Sequence, residues 1–193
     1  MYPFQITGPN IILAHLKPTL KNATLLSRIV CENAAHLEPV FEIMVRSYVT
    51  PYETLASLEY DEACRQKGYM LPYYIFRGGS LIGQINAIWV SDKQHTEISY
   101  WLDKKRTGCG YMSEALALME KTLFDNGHHQ VNLCIDATNW RSADVATRNG
   151  YKQGEDDNYY FKTTQMWHEQ ATKISKNSIY PICYFKRMNE HTK

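Results

Sequence analysis

Apolar positions along the chain follow two periods, and the breakers between them cut the chain into elements. Ile11-Ile12-Leu13-Ala14, bounded by Gly8-Pro9-Asn10 and Lys17-Pro18, predicts a strand. Thr19 stands where an N-cap is expected, and Leu26, Ile29 and Val30 follow at helical spacing. Leu37, Val40, Phe41, Met44, Val45 and Tyr48 repeat the i, i+3, i+4 pattern, so two short amphipathic helices are expected, the second broken at Thr50-Pro51. Residues 52–67 predict a third helix, with Gly68 at its C′ position. The period then drops to two. Residues 69–76 and 81–90 flank Arg77-Gly78-Gly79-Ser80 and predict a hairpin. Residues 97–102 alternate, with Glu97, Ser99 and Trp101 on one face and Ile98, Tyr100 and Leu102 on the other, and predict a third strand of the meander.

A helical stripe returns at Met112, Ala115, Leu116, Met119 and Leu123 and stops at Asn126-Gly127. Val131-Asn132-Leu133-Cys134-Ile135 predicts a strand and residues 142–148 a short helix that stops at Asn149-Gly150. Strand, glycine turn, helix and strand make a βαβ unit, which needs parallel pairing and a right-handed crossover. Beyond Tyr151 come an aromatic strand at Tyr159-Tyr160-Phe161, a polar helical stretch over 164–175 and an apolar run over 179–185. No repeat, low-complexity tract or linker divides the chain, so residues 1–193 are expected to form a single α+β domain.

Composition narrows the function classes. With 193 residues, 44% hydrophobic and 21% charged, the chain has the make-up of one globular domain rather than a disordered segment. Twenty-one Lys+Arg against 20 Asp+Glu leave a net charge of +1, without the excess of positive charge that binds phosphate backbones, so no nucleic-acid partner is expected. The longest strongly apolar run, residues 69–76, contains Pro72 and falls far short of the roughly 20 residues a bilayer span requires, so no membrane partner is expected. Met1-Tyr2-Pro3-Phe4 does not open a basic-then-apolar leader, which points to a cytoplasmic protein. Five cysteines without a C-x-x-C pair predict reduced thiols and no metal site. Cys134 and Cys183 lie in apolar runs and are expected as small core residues. Cys31 and Cys64 carry no motif, and Cys109 is set apart by its place inside a glycine turn. His128 and His129 follow Gly127 at a helix exit, where an imidazolium suits the dipole, and are expected to be structural or exposed.

Chemistry concentrates in Lys104-Lys105-Arg106-Thr107-Gly108-Cys109-Gly110-Tyr111-Met112-Ser113-Glu114-Ala115, between a predicted strand and a predicted helix. Two glycines let the backbone turn sharply, and the helix start presents unpaired N–H groups, a setting for an anion such as a pyrophosphate. The same glycines also suit an ordinary loop. The Lys-Ser/Thr ending of a nucleotide-triphosphate loop and the third glycine of the dinucleotide fingerprint are both missing.

Glu97-Ile98-Ser99-Tyr100-Trp101-Leu102-Asp103, followed by Gly108-Cys109-Gly110-Tyr111-Met112-Ser113-Glu114-Ala115-Leu116, resembles the acetyl-coenzyme A motif of the GNAT N-acetyltransferases. More narrowly it is similar to the branch that acetylates ribosomal-protein N-termini. Asn139-Trp140-Arg141-Ser142 with Ala146 and Asn149-Gly150-Tyr151, and the early Glu32-Asn33-Ala34-Ala35-His36-Leu37-Glu38-Pro39, resemble that branch in order and spacing from about residue 10 to residue 155. The resemblance implies a mixed, mostly antiparallel central sheet with helices on both faces, and a βαβ acetyl-CoA-binding unit over residues 96–155. Two departures stand out. Thr107 and Cys109 replace loop positions where the family favours Arg/Gln and Lys, leaving Lys105 and Arg106 next door as the cations. The end of the motif reads Gly150-Tyr151-Lys152-Gln153-Gly154-Glu155 and is followed by a long tail, which bears on acceptor choice.

What the resemblance implies for the site is specific. Backbone groups of Tyr100, Trp101 and Leu102 would hold the pantetheine arm and polarise the thioester, and Thr107, Gly108, Cys109, Gly110, Tyr111 and Met112 would cradle the pyrophosphate. Asn139 would hold the pantetheine region, and Ser142 would give a proton to the leaving thiolate, or alternatively cap its helix. Glu97 and Glu155 are the candidate bases, although Glu97 also fits an exposed strand position and Glu155 a solvated acidic turn with Asp156 and Asp157. The implied activity is direct transfer of acetyl from acetyl-CoA to a primary amine in a ternary complex, with no metal. The acceptor would be a protein N-terminus of the ribosomal-protein type, or alternatively a polyamine, aminoglycoside or amino-acid amine. A non-catalytic acyl-CoA-binding module, monomeric or homodimeric like the enzyme, is the reading from another class.

Overall fold

The computed structural model describes residues 2–177. Strands β1 (Gln5–Thr7) and β2 (Ile12–Ala14) are followed by helices α1 (Leu20–Glu32), α2 (Ala34–Ser47) and α3 (Pro51–Gln66). The meander β3 (Met70–Arg77), β4 (Ser80–Ile88) and β5 (Thr96–Leu102) leads to α4 (Tyr111–Asp125), β6 (Gln130–Cys134), α5 (Trp140–Arg148), β7 (Lys152–Gln153), β8 (Tyr159–Thr163) and α6 (Thr164–Asn177). These strands form one sheet in the order β1-β2-β3-β4-β5-β6-β8-β7, antiparallel at every step except β5–β6.

Local signals account for most boundaries. The Thr19 hydroxyl accepts the Asn22 N–H at the start of α1. Thr50 and Glu53 form a reciprocal capping box at α3, with Pro51 in the first turn. Gly68 adopts φ +73° just past the end of α3, as the C′ position requires. Within α2, Phe41 leaves helical geometry two residues after Pro39, and the helix kinks there.

The period-2 alternation of β3 divides the interior into two cores. Leu71, Tyr73 and Ile75 pack with Ile85, Ala87 and Ile98 under the α4 stripe Met112, Ala115, Leu116, Met119 and Leu123. Tyr74 on the opposite face packs with Leu81, Trp101 and the α1–α3 residues Ala23, Leu26, Val30 and Leu58. Helices therefore cover both faces. Glu114, in the first turn of α4, accepts the N–H groups of Asn10 and Ile11 and pins the β1–β2 loop to the helix. A side chain at Gly8 would run into that carboxylate and into Leu118. Lys162 of β8 is buried beside Glu120 of α4 at 2.7 Å and also donates to the carbonyl of Asn149, tying β8 to the end of α5.

Several expectations are corrected. β1 is a strand of three residues, too short to show a period, and it is held by β2 and by the Tyr73 hydroxyl donating to the Pro3 carbonyl. Cys134 is exposed rather than in the core, because Val131, Leu133 and Ile135 take the inward face of β6 and alternation turns Cys134 outward. His128 is not an imidazolium at a helix exit. It is buried between Tyr2 and Thr96, hydrogen-bonded at 2.6 Å to each, and burial pushes it down to about 4, so it is neutral. His129 is exposed, as expected. Cys183 and the apolar run 179–185 lie outside the described residues.

Candidate functional site

Strands β5 and β6 pair only at Thr96↔Val131 and Glu97↔Asn132. Beyond that point β5 stays with β4 as far as Gly83↔Leu102, while β6 stays with β8. The two strands part, leaving the stretch from Ile98 to Leu102 with no strand partner on its β6 side. An unpaired strand edge is a row of N–H and C=O groups able to bind an extended chain. Gly83 permits this geometry, because a Cβ there would collide with the backbone of Trp101 and push β5 out of line.

The loop at the mouth of this wedge has the backbone that its glycines foretell. Gly108 and Gly110 take φ of +76° and +81°, and a Cβ on either would meet nothing within 4 Å, so their left-handed conformations frame open space. Gly110 is the N-cap of α4 and has no side chain with which to satisfy the helix start. The first helical bond there runs from the Glu114 N–H to the Gly110 carbonyl, so the N–H groups of Tyr111, Met112 and Ser113 have no acceptor within the helix. Lys104, Lys105 and Arg106 form a short 3-10 turn just ahead, all three exposed. Thr107 turns its hydroxyl to the Lys104 carbonyl, Cys109 is exposed, and the Arg77 guanidinium lies 5.0 Å over the Tyr111 ring. Free helix N–H groups, two glycines and three flanking cations fit a diphosphate.

On the other side of the wedge stands α5. Asn139 is its N-cap and accepts the Ser142 N–H at 3.2 Å, so Ser142 is the third helical residue rather than the cap. The Ser142 hydroxyl is 2.7 Å from that of Tyr100 on β5. Burial pushes Tyr100 up to about 12, so it remains a neutral donor over the working pH range. The structure thus brings Tyr100, Asn139 and Ser142 together where β5 and β6 part.

The two carboxylates fare differently. Glu97 is half-buried in the last paired position before the strands separate, and burial raises its carboxyl above the usual range. Glu155 is exposed in the turn between β7 and β8, a turn held to the end of β6 by the Ile135 N–H donating to the Asn158 carbonyl. Among the described residues, no group of three or more His, Cys, Asp or Glu could hold a metal, and no helix is long and apolar enough to cross a membrane.

One polar cluster had no sequence signal. Asp61 of α3, Tyr74 of β3, Tyr48 at the end of α2 and Gln84 of β4 come from four separate elements and meet beneath a groove of about 860 Å³ between α2 and α3. The Tyr74 hydroxyl donates to Asp61 at 3.2 Å, and Gln84 accepts the Trp101 indole N–H at 3.1 Å. Tyr48 is buried and packs with Tyr74 and Trp101 in the α1–α3 core.

Residues 15–152 match the acetyltransferase (GNAT) domain family. Over 139 residues the chain is 27% identical to the ribosomal-protein-serine acetyltransferase of Escherichia coli (strain K12), covering 71% of this chain and 73% of that one. A solved structure of a RimL ribosomal L7/L12 α-N-protein acetyltransferase in complex with coenzyme A superposes with a TM-score of 0.70 at 22% identity, covering 82% of this chain and 97% of that one. The microcin C7 self-immunity acetyltransferase MccE, solved with acetyl-CoA and AMP, superposes with a TM-score of 0.69 at 19% identity, covering 81% and 93%.

Proposed function

This chain belongs to the family of GNAT acetyltransferase domains, and from that premise we propose that it moves the acetyl group of acetyl-CoA directly to the N-terminal amine of a protein. The observation that carries this reading is the wedge itself: a strand edge free from Ile98 to Leu102, with uncapped helix N–H groups at its mouth and a Tyr100–Ser142 pair within it. The 27% identity to a ribosomal-protein-serine acetyltransferase supports the choice of a protein acceptor.

Acetyl-CoA supplies an acyl group already activated as a thioester. In this reading residues 96–155 are the cofactor-binding core of a single acetyltransferase domain spanning residues 1–193. The N–H groups of the 107–112 loop hold the diphosphate, with Lys105 and Arg106 contributing the charge that Thr107 and Cys109 do not. The edge of β5 at Tyr100, Trp101 and Leu102 pairs with the pantetheine arm, as an added strand would, and its N–H groups polarise the carbonyl. Asn139 joins that contact from the start of α5 while still capping the helix. Glu97 takes the proton that the acceptor ammonium must lose before it can attack. The Ser142 Oγ would pass its proton to the departing thiolate and take one back from the attacking nitrogen as the amide forms, and the Tyr100 hydroxyl, 2.7 Å from that Oγ, fixes the serine rotamer. Tyr100 therefore positions, and Ser142 reacts.

Thiol release from acetyl-CoA, followed with synthetic peptides bearing ribosomal-protein N-termini, tests this reading. Turnover on free N-termini and none on blocked ones is the expected result. The likeness in fold to MccE favours a small-molecule amine as the second reading, which turnover confined to polyamines or aminoglycosides would establish. Acetyl-CoA binding by calorimetry without turnover on any amine would make the chain a binding module.

A further inference from the structure

We propose that the groove between α2 and α3 is a subsite for a lysine or arginine side chain of the acceptor, with Asp61 as its counter-ion and aromatic rings as its walls. This rests on the acceptor being a polypeptide and identifies what that polypeptide carries beyond its reacting amine.

The walls are apolar. Phe41, Met44, Tyr48 and Tyr60 line the groove, and Ile43 and Tyr60 on its sides are 82% and 69% exposed. The charge is of one sign: Glu38, Glu42 and Asp61 are the ionisable acids on its lining, and no lysine, arginine or histidine is among the lining residues. Glu42 is already engaged, since it pairs with Arg46 at 2.5 Å along the outer surface of α2. Asp61 is different. It lies at the base of the groove, it accepts a hydrogen bond from the neutral Tyr74 hydroxyl, and no cation among the described residues acts on it. A carboxylate largely taken out of water and given a single neutral donor keeps acceptor capacity that a cation in the groove would satisfy. A long aliphatic stem with a terminal charge fits such a slot: the methylenes lie along the apolar walls, the head meets the carboxylate, and tyrosine faces favour a cation nearby.

The position suits an acceptor. Tyr74, which donates to Asp61, packs in one core cluster with Trp101, whose indole donates to Gln84, and Trp101 belongs to the strand proposed to hold the thioester. α2 itself starts from Asn33, whose side chain accepts the Lys104 N–H at 2.9 Å just ahead of the diphosphate loop. The groove lies on the α1–α3 side of the sheet, the side on which Trp101 of β5 is buried.

Burial raises the Asp61 carboxyl to about 6, so the proposed pairing depends on pH. The groups facing it are Tyr74 and Tyr48, both kept protonated by burial, the exposed Tyr60, and the rim carboxylates Glu38 and Glu42. Above pH 6 Asp61 is charged and attracts the cation; toward pH 5 the attraction fades.

The test uses N-acetylated tripeptide amides, which cannot be turned over, titrated by calorimetry into the full chain. One has arginine at its second position, one norleucine and one glutamate, and agmatine and spermidine serve as free cations. The arginine peptide is expected to bind at least about ten-fold more tightly than the norleucine peptide at pH 7.5, and the difference should shrink at pH 5. Asp61→Asn should remove that preference, and Ser57→Lys, which sets an ammonium on the groove's rim without touching the core, should do the same. Equal binding of the arginine and norleucine peptides, a preference that survives both substitutions, or tighter binding of agmatine, spermidine or the glutamate peptide would overturn the proposal. Because blocked peptides need no turnover, these results stand whether or not acetyl transfer is observed, and failure of the catalytic reading is seen separately in the thiol-release assay.

Discussion

Replacing Asp61 by Asn should stabilise the protein at neutral pH, and the size of the gain follows from its surroundings. Burial raises the carboxyl from 3.8 to about 6, opposed only by the Tyr74 hydroxyl. At about 1.36 kcal/mol per pH unit this rise corresponds to roughly 3 kcal/mol, and the value is an upper bound because residual solvent at the groove relieves part of it. The sign follows from linkage. A group whose folded pKa exceeds its unfolded value contributes stability that is fully present below about pH 4 and lost as pH rises through about 6. At pH 7.5 the charged carboxylate therefore weakens the fold. Asparagine keeps an oxygen to accept the Tyr74 hydroxyl and carries no charge. Urea unfolding at pH 4, 5, 6 and 7.5 should show the variant level with the wild type at pH 4 and about 1–3 kcal/mol more stable at pH 7.5. For a chain of this length the gain at pH 7.5 is a rise in Tm of roughly 2–12 °C. A difference that does not change with pH, or a variant less stable than wild type at pH 7.5, would refute the reasoning. The same substitution is expected to remove binding of the basic peptide, a carboxylate kept for function at the expense of stability.

The remaining predictions concern the wedge. Gly110→Val should abolish acetyl-CoA binding in calorimetry while circular dichroism shows the fold retained, since the new side chain meets open space and the φ of +81° adds only about 1–2 kcal/mol of strain. Ser142→Ala should lower kcat by about a hundredfold or more with little change in KM for acetyl-CoA, as loss of a proton donor does, and Tyr100→Phe by about tenfold, as loss of one orienting hydrogen bond does. A rise in KM with kcat unchanged in both variants would make the pair a binding contact instead. Glu97→Gln should lower the rate at neutral pH with partial recovery at alkaline pH, and the wild-type acidic limb should lie above the ordinary carboxylate range because burial raises this group. Glu155→Gln, on an exposed turn, should leave the profile unchanged; the opposite pattern would exchange their roles.

Sequence alone determined what depends on neighbours a few residues apart. Apolar periods of 3.6 and 2 marked α1, α2, α4 and the β3–β5 meander, because one face of each must meet the core. Thr19, Gly68 and Gly110 marked ends where a backbone donor or a left-handed residue was needed, and a glycine loop leading into a helix marked a helix start without a side-chain cap. Tertiary structure decided whatever depends on which strands pair and where they part. The separation of β5 from β6 after Glu97, the meeting of Tyr100 with Ser142 across 42 residues, and the role of Asn139 as cap cannot be read from spacing. Nor can the outward turn of Cys134, the burial of His128 as a neutral ring, or the placing of Asp61 under aromatic walls. Local pattern says that a residue is on a face; only long-range packing says what else is there, and it is the neighbour that sets a proton's affinity, a hydroxyl's partner and a carboxylate's need for a counter-ion.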